Sequence, residues 1–437
     1  MLVCATPQHA HVTPLLAVTE VLTGSGLDVV VLTGSRYRAA VEAAGAAFTP
    51  IDPRFDYDDR RLEEAFPGMG GRTGLAAMRF AVRNVFLPPL PSQLVDVTTA
   101  VRGWGIDVVV TDPLFLGGLA YALQPRERRR PVAVIGLVPL MLESRDTAPF
   151  GLGLPPLRGP AGRIRNAALR VLAHRVLLAG LERDVDRAFA AAAGTPRGTN
   201  LLDPGRTADA ILQLTVPAFE YPRSDLPPTV SFLGPIAGRP PREAPLPDWW
   251  GDLHGRTVVH VTQGTVSNAV VEDLLVPTIR GLAGEDVLVV AATGRDPGPL
   301  LAALGPPPAN LRVVPFLPYD RLLPATSVMV TNGGYGGVHA ALRHGVPLVV
   351  GGRTEEKVEV AARVAWSGAG IDLKAQRPKP RAVRDAVLRV LREPRYRLRA
   401  QAIGADIRAA DGEAALVRSL ARLAGRDMPE GTSLNDR

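Results

Sequence analysis

The chain has 437 residues, length for two or three domains, with 46% hydrophobic and 21% charged residues, so wholesale disorder is excluded. Fifty Lys+Arg against 43 Asp+Glu give a net charge of +7, carried by arginine because lysine occurs only at Lys357, Lys374 and Lys379. Aromatic residues are only 5% and do not interleave with basic ones as a single-strand groove requires, so nucleic acid is not an expected partner.

The chain opens Met1-Leu2-Val3-Cys4-Ala5 with no basic leader, which points to the cytoplasm. Cys4 is the sole cysteine, so an intramolecular disulfide scaffold is excluded. Residues 2–5 read as a strand, 9–13 as a polar turn, 14–22 as a helix and 29–32 as the next strand. His11 then sits at a strand end, where an imidazole titrating near working pH suits a general base. The spacing of His9 and His11 is weak evidence for a metal. A base needs an orienting carboxylate, and Asp112, closing the strand 107–111, is the candidate. Between them, Asp56-Tyr57-Asp58 spells the D-x-D of metal-dependent sugar transferases, but within an acidic loop and not at a strand end.

The basic cluster Arg126–Arg130 reads as a solvated loop before the strand 132–135. The loop 137–157 is rich in Leu, Met, Pro and Phe, and with residues 65–100 would wall an apolar ligand site. The stretch from Arg163-Ile164-Arg165 to Arg175 reads as a basic helix, ordinarily a solvated face yet compatible with a lipid surface. A second D-x-D, Asp184-Val185-Asp186, falls inside a helical pattern. No apolar run approaches the ~18 residues of a membrane span, so stable membrane insertion is not expected.

Residues 216–250 hold nine prolines and read as a linker. A second α/β series follows, with strands at 258–261, 287–291, 311–314, 328–330 and 348–350, then a helical tail over 382–424. The predicted fold is α/β: two doubly wound parallel-sheet domains, 1–215 and 251–424, facing each other across a cleft, with residues 425–437 a frayed tail. In such sheets ligands bind beyond the carboxyl ends of the strands. There the sequence places Thr262-Gln263-Gly264-Thr265, the glycine-rich turn Asn332-Gly333-Gly334-Tyr335-Gly336-Gly337-Val338, and the acidic loop Arg353-Thr354-Glu355-Glu356. The glycine turn either offers backbone N–H groups to a phosphate at a helix N-terminus or is simply a tight strand–helix turn. It is neither a dinucleotide fingerprint nor a P-loop. The glutamates either accept from sugar hydroxyls or form an ordinary charged helix start.

Together these residues resemble the natural-product UDP/TDP-glycosyltransferases of the macrolide type, which have the GT-B fold of two Rossmann-like domains and belong to glycosyltransferase family 1. The stretch from Val314-Pro315-Phe316-Leu317-Pro318-Tyr319 to Glu359 is similar to that family's nucleotide-sugar signature, and His11-Val12-Thr13-Pro14 to its catalytic turn. The sequence departs from the pattern at Phe316 (usually Trp), Tyr319 (Gln), Asn332 (His), Glu355-Glu356 (Asp-Gln) and Ala10 (Gly). The double glutamate argues against assuming glucose.

The resemblance implies an acceptor-binding first domain and a donor-binding second. The donor base would stack on Phe316 and meet the Leu317 backbone. The diphosphate would lie on Thr265, Asn332, Gly334 and the N–H groups of Gly336, Gly337 and Val338, with Glu355 and Glu356 holding the sugar. His11, oriented by Asp112, would deprotonate a hydroxyl of a small apolar acceptor, and one displacement would invert the anomeric centre. No metal and no cofactor are implied beyond the nucleoside-diphosphate sugar itself, and the expected state is a monomer or homodimer. Two other enzyme-family roles stay open: a nucleotide-sugar 2-epimerase, which Glu355 and Glu356 would serve, and a non-catalytic partner that activates another transferase. The latter would have lost His11.

Overall fold

The computed structural model describes residues 1–236, 238, 246–264, 268 and 270–426. The near-continuous β-branched runs pair in parallel and bury both faces, as such runs do. β1 (Leu2–Cys4), β2 (Val30–Thr33), β3 (Ala47–Pro50), β4 (Val109–Thr111), β5 (Val132–Gly136), β6 (Ala210–Gln213) and β7 (Val230–Phe232) form one sheet, ordered β3-β2-β1-β4-β5-β6-β7. Leu2 lies opposite both Val30 and Val109. Alternate side chains feed two cores, with Val3, Val31, Val110 and Ile135 on one face and Leu2, Cys4, Val30 and Val134 on the other.

The second sheet comprises β8 (Val258–Thr262), β9 (Leu288–Ala292), β10 (Leu311–Val314), β11 (Val328–Thr331), β12 (Leu348–Val350) and β13 (Gly370–Asp372), ordered β10-β9-β8-β11-β12-β13. Each order reverses once, between β1 and β4 and between β8 and β11. The crevice outside the carboxyl ends of those two pairs is where such sheets bind ligands.

Four expectations need correction. The helix that was to begin at Pro14 spans His9–Gly24. Proline favours the first helical position, but here it sits a turn and a half inside, so both histidines belong to the helix. The prolines of 216–250 conceal structure from both domains: β7 is an edge strand of the first sheet, a position that tolerates neighbouring prolines, while Val216 and Phe219 enter a core of the second. At the far end the helix Gly412–Leu423 returns to the first domain, where Leu416, Val417 and Leu420 pack with Val18 and Leu22. The Arg126–Arg130 cluster is also partly structural. Arg126 and Arg129 both grip Asp209, and Arg129 is buried against the Gln124 carbonyl.

Candidate active site

The chain leaves β1 through Thr6 and Pro7 and enters the His9–Gly24 helix, while β4 delivers Asp112 from the neighbouring strand. The switch point of the first sheet therefore brings His11 Nδ1 to 3.2 Å from Asp112 Oδ1. The contact is an ion-pair approach lying off the axis of a good hydrogen bond, and Nδ1 is buried with no other partner among the described residues. Asp112 is fully buried and accepts from the N–H groups of Thr6 at 2.6 Å, Leu114 at 2.7 Å and Phe115 at 3.0 Å. Burial alone would raise its pKa, but His11 and these donors outweigh burial and hold the carboxyl below its usual range. For His11, burial opposes the charged form, yet Asp112, with smaller contributions from Glu356 and Glu355, drives the net shift upward. His9 does not join this pair, its Nδ1 lying 3.2 Å from Thr13 Oγ1.

A cavity of about 490 Å³ opens beside Thr6 and Pro7, walled by Ile51, Tyr57, Phe66, Phe80 and Phe86. Its walls come from residues 51–96, in keeping with the expected contribution of 65–100. The loop 137–157 lines none of it and turns toward the second domain.

In the second domain, β11 runs into Asn332-Gly333-Gly334 and the helix Tyr335–Arg343. Gly333 takes φ +92°, a conformation L side chains rarely adopt. The buried Asn332 donates from Nδ2 to the Gln263 carbonyl at 2.5 Å, tying the turn after β11 to the turn after β8 across the second switch point. Gln263 has a structural task, its side-chain oxygen accepting from Leu274 and Leu275 N–H at the start of the helix Leu275–Leu282. Thr265 lies outside the described residues. Among the described residues, a Cβ added at Gly336 would meet nothing within 4 Å, and at Gly334 and Gly337 only ordinary contacts at 3.9 and 3.7 Å. No neighbour among the described residues demands glycine there, and the first-turn N–H groups are the free donors of a helix N-terminus. Val338 is the exception, for its N–H already bonds the Gly334 carbonyl at 3.0 Å. The helix uses that donor itself, so the turn offers Gly336 and Gly337.

Phe316, just beyond β10, is 63% exposed and so is not a core residue. Leu317 turns inward and packs against the buried cluster of Leu253, Val258, Leu288, Val290 and Leu322. Tyr319, at the usual glutamine position, is drawn under the sheet with Oη 3.3 Å from His260 Nε2, and burial pushes its pKa up to about 12. Glu355 is exposed with φ +55° and pairs with Lys357 Nζ. Glu356 lies deeper, where burial raises its pKa, and its charge acts on His11 across the cleft. Lys357, buried at 5% exposure, was not anticipated from sequence.

Nor was the cross-domain network below it. Glu359 accepts from the N–H groups of Gly151 and Gly153, both at 2.8 Å, and from Arg363 at 2.8 Å. Arg363 donates twice to Glu220, each at 3.0 Å, and its guanidinium lies 4.2 Å from the centre of the Tyr221 ring. The side chains of Glu220, Tyr221, Glu359 and Arg363 are all buried, so deleting one of the charged partners strands the others at a cost of about 3–5 kcal/mol. Thr215 Oγ1 with His339 Nε2 at 2.6 Å adds a second cross-domain tie. The only sequence signal was Glu359 and Arg363 four apart on a helix.

The two D-x-D motifs are engaged elsewhere. Asp56 accepts the Ser35 N–H at 3.0 Å, Asp58 holds Arg60, and Asp184 pairs with Arg83 and Arg187. Among the described residues no group of three or more His, Cys, Asp or Glu is arranged to hold a metal ion.

Residues 278–423 match the family described as "Erythromycin biosynthesis protein CIII-like, C-terminal domain". The chain is 45% identical to 4'-demethylrebeccamycin synthase of Lentzea aerocolonigenes, over 94% of this chain and 96% of that protein. It is 35% identical to UDP-glycosyltransferase 2 of Phaeomoniella chlamydospora, over 97% and 95% of the two chains. In fold it is similar to the kitacinnamycin glycosyltransferase (TM-score 0.71, 21% identity, 97% and 98% coverage). It is likewise similar to the glycosyltransferase VinC in complex with dTDP (TM-score 0.66, 21% identity, 98% and 99% coverage). With such identity over nearly its whole length, and with both GT-B sheets in place, the chain belongs to the nucleotide-sugar glycosyltransferases of natural-product biosynthesis and is an enzyme of that family.

Proposed function

We propose that the enzyme moves a sugar from a UDP- or TDP-sugar to a hydroxyl of a small apolar acceptor in one inverting displacement, without a metal. The observation that carries this reading is the His11–Asp112 pair at one switch point, facing the glycine turn and the acidic loop at the other. Asp112 holds Nδ1 and the helix holds the ring, so Nε2 is the nitrogen left to take the acceptor proton. The acceptor lies in the aromatic-walled cavity beside Thr6 and Pro7. The base of the donor stacks on Phe316, the diphosphate lies on Asn332, Gly336 and Gly337, and Glu356, with Glu355 beside it, meets the sugar hydroxyls. Charge developing on the leaving diphosphate is met by fixed backbone donors at the helix start, a preorganised site that needs no cation.

The relatives reported above are transferases, which supports transfer over epimerisation, and the retained His11 speaks against a non-catalytic activating role. The test is a transfer assay with an α-linked donor in the presence of EDTA, with the product's anomeric configuration read by NMR. A β-linked product at undiminished rate supports the proposal. Retention, or loss of activity restored by manganese, overturns it.

A further inference from the structure

The helix Gly159–Val171 and its wider-wound continuation Leu172–Leu177 are amphipathic in the wrong sense for a soluble surface. Inward they present Gly162, Asn166 and Ala173. A Cβ on Gly162 would lie 2.0 Å from the Leu157 carbonyl oxygen, and Asn166 Nδ2 donates to the Arg145 carbonyl at 3.1 Å. Outward they turn Ile164 (71% exposed), Val171 (61%), Leu172 (46%) and Val176 (64%), with Leu157 (51%) ahead of them. Positions 164, 171, 172 and 176 follow the helical repeat and make one stripe. The charge is equally one-sided. No acidic residue occurs between Asp146 and Glu182, while Arg158, Arg163, Arg165, Arg170 and Arg175 do. Arg163 reaches back to Asp146 at 3.3 Å, whereas Arg158 and Arg175 are exposed.

We infer that this face seats the enzyme on an anionic lipid surface. An exposed apolar stripe flanked by arginines is the makeup of an interfacial helix, which lies in the headgroup plane without spanning it. A second copy fits less well, because a two-fold contact would set these arginines against their own copies with no carboxylate in the stretch to answer them. The position is apt as well. Arg79 donates to the Leu177 carbonyl at 2.6 Å, and its neighbour Phe80 walls the 490 Å³ cavity, so the stripe adjoins the cavity through which an apolar compound dissolved in lipid would enter. The inference does not depend on which donor or acceptor the enzyme uses.

The test is co-sedimentation of the full chain with vesicles of phosphatidylcholine alone or mixed with phosphatidylglycerol, at low and high salt. The protein should bind only the anionic vesicles, and less at high salt. Arg158→Gln with Arg175→Gln should weaken binding about fivefold per arginine. Ile164→Ser with Val171→Ser and Val176→Ser should abolish it. Both variants should keep the wild-type melting temperature and turnover on a water-soluble acceptor. Absence of binding at low salt, equal binding to both vesicle types, or binding unchanged in both variants would overturn the proposal. A dimer that dissociates in the triple-serine variant would overturn it too, by giving the face to a second copy.

Discussion

Replacing Phe316 by alanine separates two readings of a single aromatic side chain. Truncating a fully buried phenylalanine costs about 3–5 kcal/mol. Phe316 is 63% exposed, so little more than a third of it is covered, and the same logic gives about 1–2 kcal/mol at most. For a domain of this size that lowers Tm by roughly 2–8 °C. A base stacked on the ring, by contrast, loses about 1–3 kcal/mol, or roughly fivefold to a hundred-and-fiftyfold in affinity. The loss should fall equally on UDP and TDP, because every base has a flat face. Differential scanning calorimetry of the apo protein and calorimetric titration with each diphosphate measure the two quantities independently. A fall in Tm beyond that range with unchanged Kd would refute the stacking assignment and leave the nucleotide site resting on the glycine turn.

Three further predictions follow from the same geometry. Asp112→Asn removes the largest influence raising the His11 pKa and leaves burial to lower it, so the acid limb of kcat/KM should move to lower pH while kcat falls; an unmoved limb excludes His11 as the titrating base. Glu356→Ala should weaken the intact donor about tenfold to a hundredfold while barely changing nucleoside diphosphate affinity, as measured by parallel titrations, and equal weakening of both would move Glu356 off the sugar. Gly336→Ala puts a Cβ where the described residues leave nothing within 4 Å, so the apo Tm should hold while diphosphate affinity drops at least tenfold, and unchanged affinity would show the turn to be structural only.

Much of this was legible in the sequence, for reasons that mark where legibility ends. Strands β1, β4, β8 and β11 are apolar runs that close on polar residues, so His11, Asp112, Gln263 and Asn332 could each be placed at a strand end. The pairing of those ends depends on strand order, which the residues express only through the resemblance and the structure makes explicit. The first helix starts before Pro14 because the strong local signal of that proline is overridden by the surrounding fold. β7 is not legible because three residues beside Pro227 and Pro228 give no period to read. The contact of Glu359 with Gly151 and Gly153 joins residues more than 200 positions apart, and no local pattern announces it. The outward-facing Ile164 and Val171 looked like an ordinary basic helix until the structure showed which side was buried.

Whether His11 takes the acceptor proton is decided by single turnover of His11→Ala. With saturating donor and acceptor, quenched-flow measurement should show the chemical step slowed by about 10²–10⁴, the contribution of a positioned general base. Titration of the same variant with nucleoside diphosphate should give the wild-type Kd, because the proposed diphosphate site is on the other domain. A variant that keeps more than about a tenth of the wild-type single-turnover rate would contradict the account.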